Sequence, residues 1–374
     1  MSIESVPEIM KVAVYYNNED VRLHTAQVPN LKHGEILVKT EACGLCGGET
    51  MEWYLKPRAP KVLGHELTGI VAKTGEGVSK FNIGDRVVVH HHVACMSCHM
   101  CLRGNFTLCD QYSKLGIDPG GQAEYVRVSA PLVEYDTYLL PEHISFQEGV
   151  AVEPLGCVMN GIRKAGIHPG DTVAILGAGF MGIGATALCS IWGAGKIVVL
   201  DFNDWRLNKA REFGATHTIN PKKEDSHNIL RDINQGRLAD LVFQTAPSIK
   251  AWELGLSLVG KGGTYHINAP THPDDYAKVY PSEFFFKEIT INAAYSASHI
   301  DTRAVLDLMI AGRIDAETMI TNQFGLDQVS DAIGLMLEVG ESLKPVILPS
   351  LTKKEPIGEI DLSQTKGHKN IFVK

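Results

Sequence analysis

The sequence predicts an α/β protein of two domains, one built mainly from short strands and one a doubly wound parallel sheet. Three observations carry this. The chain is 374 residues long, which divides by ordinary domain size into roughly two domains. Up to about residue 150, short apolar runs alternate with turn clusters such as Asn30-Leu31-Lys32-His33-Gly34. From Asp171 onward, apolar strand candidates alternate with helical stretches, the pattern of βα units feeding one parallel sheet.

In chain order, the first region offers strands at Lys11–Tyr15, Glu35–Thr40, Gly69–Lys73, Arg86–His90 and Ala123–Val128. A helix from Phe146 to Lys164 follows, closed by the Gly166 to Gly170 segment. The second region offers strands at Val173–Leu176, Ile197–Asp201, His217–Ile219, Leu241–Thr245, Thr264–Asn268 and Ile289–Ala293, with helices such as Trp205–Phe213 and Lys250–Leu258 between them. Helices around Thr302–Ala311 and Leu326–Val339 and a strand Pro345–Leu348 complete the pattern. The tail Leu351–Lys374 is polar and of mixed charge, with Ile371-Phe372-Val373 near its end. It reads either as a disordered end or as an arm docking on another subunit.

Composition narrows the function. Hydrophobic residues are 44% and charged residues 21%, an ordinary globular balance. A net charge of −8 argues against a general affinity for nucleic acid or anionic lipid. The start, Met1-Ser2-Ile3-Glu4-Ser5, lacks the basic and apolar regions of a signal peptide, so a cytoplasmic location is expected. The stretch from Val173 to Gly195 holds no charge and is long enough to cross a bilayer. Its six glycines and its strand-like start favour a strand, a turn and a buried helix instead. Six of the eight cysteines fall between Cys43 and Cys109, and grouped thiols in a large chain point to metal before disulfides.

The strongest motif is Cys95-x2-Cys98-x2-Cys101-x7-Cys109. Four thiolates so closely spaced can wrap one Zn²⁺ tetrahedrally and leave no position for substrate. A second constellation is spread out: Cys46, His65 in Gly64-His65-Glu66, and Glu153 in Glu153-Pro154-Leu155. One thiolate, one imidazole and one carboxylate make a three-ligand zinc site with a fourth position open. Cys43, three residues before Cys46, offers a competing Cys-x2-Cys reading, whereas Cys157 and Cys189 fit helices as small apolar side chains. The third motif, Gly177-Ala178-Gly179-Phe180-Met181-Gly182, follows a strand and opens a helix. Its glycines allow a tight turn, the approach of a pyrophosphate and close helix packing, with the anion on the helix N-terminus. Asp201 closes the next strand, 19 residues beyond Gly182. There it would accept the ribose hydroxyls and repel a 2′-phosphate, which selects NAD over NADP. Arg206 is near enough to soften that choice, or is simply a solvated helix residue.

Together these residues resemble the zinc-dependent medium-chain alcohol dehydrogenase family, from about Lys11 to Leu348. The most specific element is Gly64-His65-Glu66-x2-Gly69-x5-Gly75-x2-Val78, which matches that family's zinc signature at every fixed position. Gly84-Asp85-Arg86-Val87, the four cysteines and the glycine motif follow in family order, and Glu153-Pro154-Leu155 is similar to the sorbitol and polyol dehydrogenase branch. The resemblance implies a GroES-like catalytic domain at 1–155 with a structural zinc lobe, a Rossmann NAD-binding domain at 156–296, and a return to the catalytic domain at 297–374. It implies one catalytic and one structural zinc, NAD, and a homodimer or homotetramer. The catalytic ligands it implies are Cys46 and His65, with Glu66 or Glu153 as the third. The implied activity is hydride transfer between NAD and a secondary alcohol in a polyol, cyclitol or modified sugar. Threonine-type amino alcohols are the alternative within the class, and a noncatalytic NAD-binding regulator the alternative outside it. The chain departs from the family where a proton-relaying hydroxyl is usual, at Gly48, and where a relay histidine is common, at Met51. Glu49 replaces the Asp that usually supports the ligand histidine.

Overall fold

The structure is a computed structural model and describes residues 5–365; Ile371-Phe372-Val373 lies outside the described residues. Two compact units are present. One runs to Pro154 and resumes at Ser298; the other spans Leu155–Ala297.

The second unit is a six-stranded sheet in which every neighbouring pair is parallel. Its spatial order is His217–Ile219, Lys196–Leu200, Thr172–Leu176, Ala239–Gln244, Val259–Ile267 and Thr290–Ala293. Numbered along the chain this order is 3-2-1-4-5-6, the doubly wound arrangement whose ligand crevice lies at the carboxyl ends of the strands where the order reverses. The central strands are continuous apolar runs because helices cover both faces. Ala174, Leu176, Val198, Leu200, Val242 and Tyr265 form its core, each fully buried large side chain contributing about 1.5–3 kcal/mol. The helices Ser226–Ile233 and Pro281–Lys287 are additional to the expected ones.

In the first unit, a sheet path joins Ile320–Phe324, Lys344–Ile347, Ile36–Gly44, Glu66–Thr74, Arg86–Val89 and Thr137–Leu139. Strand register gathers residues that are distant in sequence. Gly44 pairs with Glu66, so Cys46, just past one strand, and His65, just before the other, reach the same end of the sheet. Leu67 pairs with Val89, which brings His90 level with them. Val89 pairs with Thr137, setting Asp136 beside His90. On the other flank Val346 pairs with Gly44, and Lys344 arrives at the same end.

Three expectations need correction. The helix expected from Phe146 to Lys164 is two helices, Phe146–Gly149 and Val152–Ala165. Ser145 and Glu148 form a capping box on the first. The new start puts Glu153 in a first helical turn, where exposed amides favour a carboxylate. Leu326–Val339 likewise divides into a 3₁₀ turn, Leu326–Gln328, and a helix, Val329–Leu337. The described part of the tail docks on its own chain. Ile357 N donates to Leu23 O at 2.9 Å, Thr25 N to Gly358 O at 2.9 Å, and Ile360 N to Thr25 O at 2.8 Å. This covers the open edge of Asp20–Gln27, a strand that sequence reasoning also missed. No helix of the described residues is long and apolar enough to cross a membrane.

Candidate metal and cofactor sites

Cys46 ends the turn leaving Ile36–Gly44 and caps the short helix Gly47–Thr50, its Sγ accepting Gly48 N at 3.4 Å. The buried Glu49 carboxylate accepts Gly64 N at 2.7 Å, Cys46 N at 3.3 Å and His65 Nδ1 at 3.2 Å. With the Nδ1 proton committed to Glu49, His65 presents its Nε2 lone pair, the arrangement in which a carboxylate fixes a metal-binding histidine. Burial pushes the Glu49 carboxyl up, but His65 and the N–H donors of Gly64 and Cys46 outweigh it and hold it below the ordinary value. Gly64 sits at φ +93°, and a Cβ there would stand 2.6 Å from Gln122 N, so only glycine lets His65 turn inward. Ligand atoms of Cys46, His65 and Glu66 lie within 4.8 Å of one another. Glu66 is fully buried and has both oxygens 2.8 Å from Lys344 Nζ. Burial pulls the Lys344 ammonium down, but Glu66 outweighs it and holds it above the ordinary lysine value.

Glu153 belongs to an adjoining group. Its Oε1 is 3.7 Å from His90 Nε2 and 3.7 Å from His91 Nδ1, and the ligand atoms of all three residues lie within 4.8 Å. The His91 and His65 rings, with centroids 4.7 Å apart, join the two groups. Sequence reasoning passed over Lys344, which carries no local signal. It also passed over the run His90-His91-His92 at a strand end, which did. Cys43 is fully buried beneath the site and outside both groups, so the Cys-x2-Cys pairing with Cys46 does not form.

Cys95, Cys98, Cys101 and Cys109 also present sulfurs within 4.8 Å of one another. The Cys95 and Cys101 sulfurs are 4.0 Å apart and those of Cys98 and Cys101 3.5 Å. A tetrahedron with metal–sulfur bonds of about 2.3 Å has edges of roughly 3.8 Å, so the four sulfurs fit one zinc. Backbone N–H groups point at the sulfurs, Cys95 N at Cys109 Sγ and Cys98 N at Cys95 Sγ, both at 3.3 Å. Donors from Ser97 and Cys98 hold the Cys95 thiol down to about 6, whereas burial and the neighbouring sulfurs push Cys101 up to about 12. Four thiolates share this space only when a cation neutralises them. All eight cysteines are free of disulfides.

In the second unit, Gly177 follows the strand Thr172–Leu176 and Gly179 caps the helix Phe180–Ile191. A Cβ on Gly182 would lie 1.8 Å from Gly177 O, so the helix packs against the turn only with glycine there. Phe180 is buried and Met181 half-buried in the first helical turn. Asp201 Oδ2 accepts Ala178 N at 2.7 Å, and Oδ1 accepts Asn203 N at 2.8 Å. The carboxylate thus braces the glycine turn and keeps further lone pairs for ribose hydroxyls. Arg206 is half-buried rather than solvated, its guanidinium 3.6 Å from where a Gly179 Cβ would stand.

Residues 32–136 match the alcohol dehydrogenase GroES-like domain, and residues 181–311 match the zinc-binding dehydrogenase domain. With those matches the fold and its sites belong to a known class: the chain is a member of the zinc-dependent medium-chain alcohol dehydrogenase family. Within it, the chain falls with the sorbitol and polyol dehydrogenases. It is 30% identical over 367 residues to the sorbitol dehydrogenase of Bacillus subtilis, covering 92% of this chain and 99% of the relative. It is also 31% identical over 331 residues to the L-threonine 3-dehydrogenase of Bacillus velezensis, covering 86% and 93%. Among solved structures, the alcohol dehydrogenase of Thermus sp. ATN1 superposes with a TM-score of 0.80 at 28% identity, covering 91% of this chain and 99% of that one.

Proposed function

We propose that this protein is an NAD-dependent zinc dehydrogenase acting on a secondary hydroxyl of a polyol, cyclitol or modified sugar. The observation that carries the reading is the pair of buried carboxylates, Glu66 grouped with Cys46 and His65, and Glu153 in the adjoining group with His90 and His91. Cys46, His65 and Glu66 hold the catalytic zinc, with Glu49 fixing the histidine. The four cysteines hold the structural zinc. Bound there, zinc would supply Lewis acidity to the substrate hydroxyl and NAD⁺ would serve as hydride acceptor, an alcohol giving a ketone, NADH and one proton. Gly48 has no hydroxyl and Met51 no proton to pass on, so Glu153 receives the hydrogen bond of the substrate hydroxyl and takes the proton outward. Gly177, Gly179, Gly182 and the first turn at Phe180 and Met181 receive the pyrophosphate; Asp201 receives the ribose, with Arg206 beside it.

We further propose a cytoplasmic homodimer or homotetramer. Tyr276, Tyr280, Phe285 and Phe286 are exposed in the segment before the edge strand Thr290–Ala293, a surface of the kind that subunit association covers. The test of the activity is a panel of polyols, cyclitols and amino alcohols with NAD⁺, followed by NADH absorbance, together with metal analysis. Polyol turnover with two zinc per chain is the expected result. Turnover confined to amino alcohols moves the substrate to the threonine type, which the second relative favours. NADH binding with no turnover and one zinc identifies a regulator and overturns the reading.

A further inference from the structure

Behind Glu153 lies a file of buried polar groups that the reaction described above does not use. His90, Asp136 and Thr302 are 3%, 1% and 1% exposed. Thr302 Oγ1 donates to Asp136 Oδ1 at 2.6 Å, and Asp136 Oδ2 lies 2.7 Å from His90 Nδ1. His90 N also donates to the Asp136 carbonyl at 3.2 Å. The ring is therefore held twice by one residue, through backbone and side chain. An ionised Asp136 can only accept, so Nδ1 carries the proton. His90 Nε2 is buried, has no hydrogen-bond partner, and faces Glu153 Oε1 at 3.7 Å.

We propose that His90, clamped by Asp136 and Thr302, is a positioning residue for Glu153. Glu153 is itself buried in the first turn of its helix, with His90 Nε2 and His91 Nδ1 each 3.7 Å from its Oε1. The immobile imidazole occupies the space beside Oε1 and restricts Glu153 to the orientation that serves the Cys46–His65–Glu66 group. The clamp takes a carboxylate and an imidazole out of water, a cost that their mutual hydrogen bond, the Thr302 hydroxyl and the nearby Tyr138 and Lys80 offset. Strand register, Val89 opposite Thr137, sets the spacing between His90 and Asp136, and the helix His299–Ile310 brings Thr302 to them. The inference rests on the role given above to Glu153.

The experiment compares the zinc enzyme with its cobalt-substituted form, in the wild type, Asp136→Asn and His90→Gln. Each variant is expected to keep its structural zinc and its NADH affinity. Each is expected to lose about 10–100-fold in kcat with a smaller change in KM, the usual cost of removing a group that orients a metal site, and to shift the visible absorption of cobalt at the catalytic position. Thr302→Ser, which keeps the hydroxyl, should restore wild-type behaviour relative to Thr302→Val. Either Asp136→Asn or His90→Gln with wild-type kcat and cobalt spectrum overturns the proposal. Nitrogen-15 shifts of His90 in the wild-type holoenzyme need no variant: a bare Nδ1 also overturns it. A wild type that turns over no alcohol sinks the activity reading instead, so the two failures are distinguishable.

Discussion

The four-cysteine lobe and the Cys46–His65–Glu66 group, the two places to which zinc is assigned in the proposed function, gather their ligand atoms by opposite routes. The lobe takes its ligands from 15 consecutive residues, Cys95 to Cys109, and supports them with hydrogen bonds from backbone N–H groups of the same loop. The other group draws its ligands and their supports from five strands of one sheet end and a helix start, spanning Leu45 to Lys344. Its supports are charged side chains: Glu49, Lys344 and the Asp136–His90 pair. A locally closed site depends on the metal to hold it together, whereas a site gathered by a sheet depends on the sheet and uses the metal for chemistry.

Ligand deletions are the largest test of that contrast. Cys46→Ser should leave the thermal midpoint nearly unchanged and lower kcat by on the order of 10³-fold or more, since several kcal/mol of transition-state stabilisation go with the metal. Cys98→Ser should do the reverse, with a marked fall in the midpoint and loss of one zinc, because zinc affinity in such loops is folding free energy. Calorimetry and metal analysis of the two variants check this. Equal destabilisation by both would break the distinction.

A smaller effect is expected at Lys344. Lys344→Met leaves the Glu66 carboxylate at 0% exposure without its cation, and stranding a buried charge costs about 3–5 kcal/mol. Urea unfolding should show that loss, and Lys344→Arg should recover most of it. If Lys344→Met is as stable as the wild type, Glu66 is neutralised by the metal rather than by lysine, and the two zinc sites are more alike than their surroundings indicate.

The same contrast governs how much could be read without coordinates. The lobe, the glycine turn and Asp201 were legible because their chemistry lies in short spacings. The six parallel strands were legible because burial on both faces leaves unbroken apolar runs. Cys46, His65, Glu66 and Glu153 were visible as residue types, but not their grouping, which strand register and the start of the helix Val152–Ala165 decide. Lys344, Asp136 and Thr302 carried no sequence signal, since a single Lys, Asp or Thr beside a strand or in a helix is ordinary until a partner some two hundred residues away is known. The docked tail was hidden for another reason. Its hold on Asp20–Gln27 is through backbone groups, and only a few apolar side chains such as Ile360 and Leu362 mark it.

Glu49→Gln is the mildest of the tests and the sharpest on how the sheet-built site holds its metal. The carboxylate accepts four donors at once, from Cys46, Gly64, His65 and Gln122, and three of these flank or belong to the ligand residues. Glutamine keeps the length and one acceptor oxygen, but turns an NH₂ group toward one of the remaining donors. Either the Gly64–His65 pair or the Cys46 and Gln122 donors must then let go. The change removes a negative charge behind His65, which weakens the imidazole as a ligand, without removing a ligand. Catalytic zinc affinity should fall about 10–100-fold, read as faster release to a chelator, while the four-cysteine zinc stays in place. Release of both metals together would mean that Glu49 supports the unit as a whole. Release of neither would mean that Gly64 and the strand register alone orient His65.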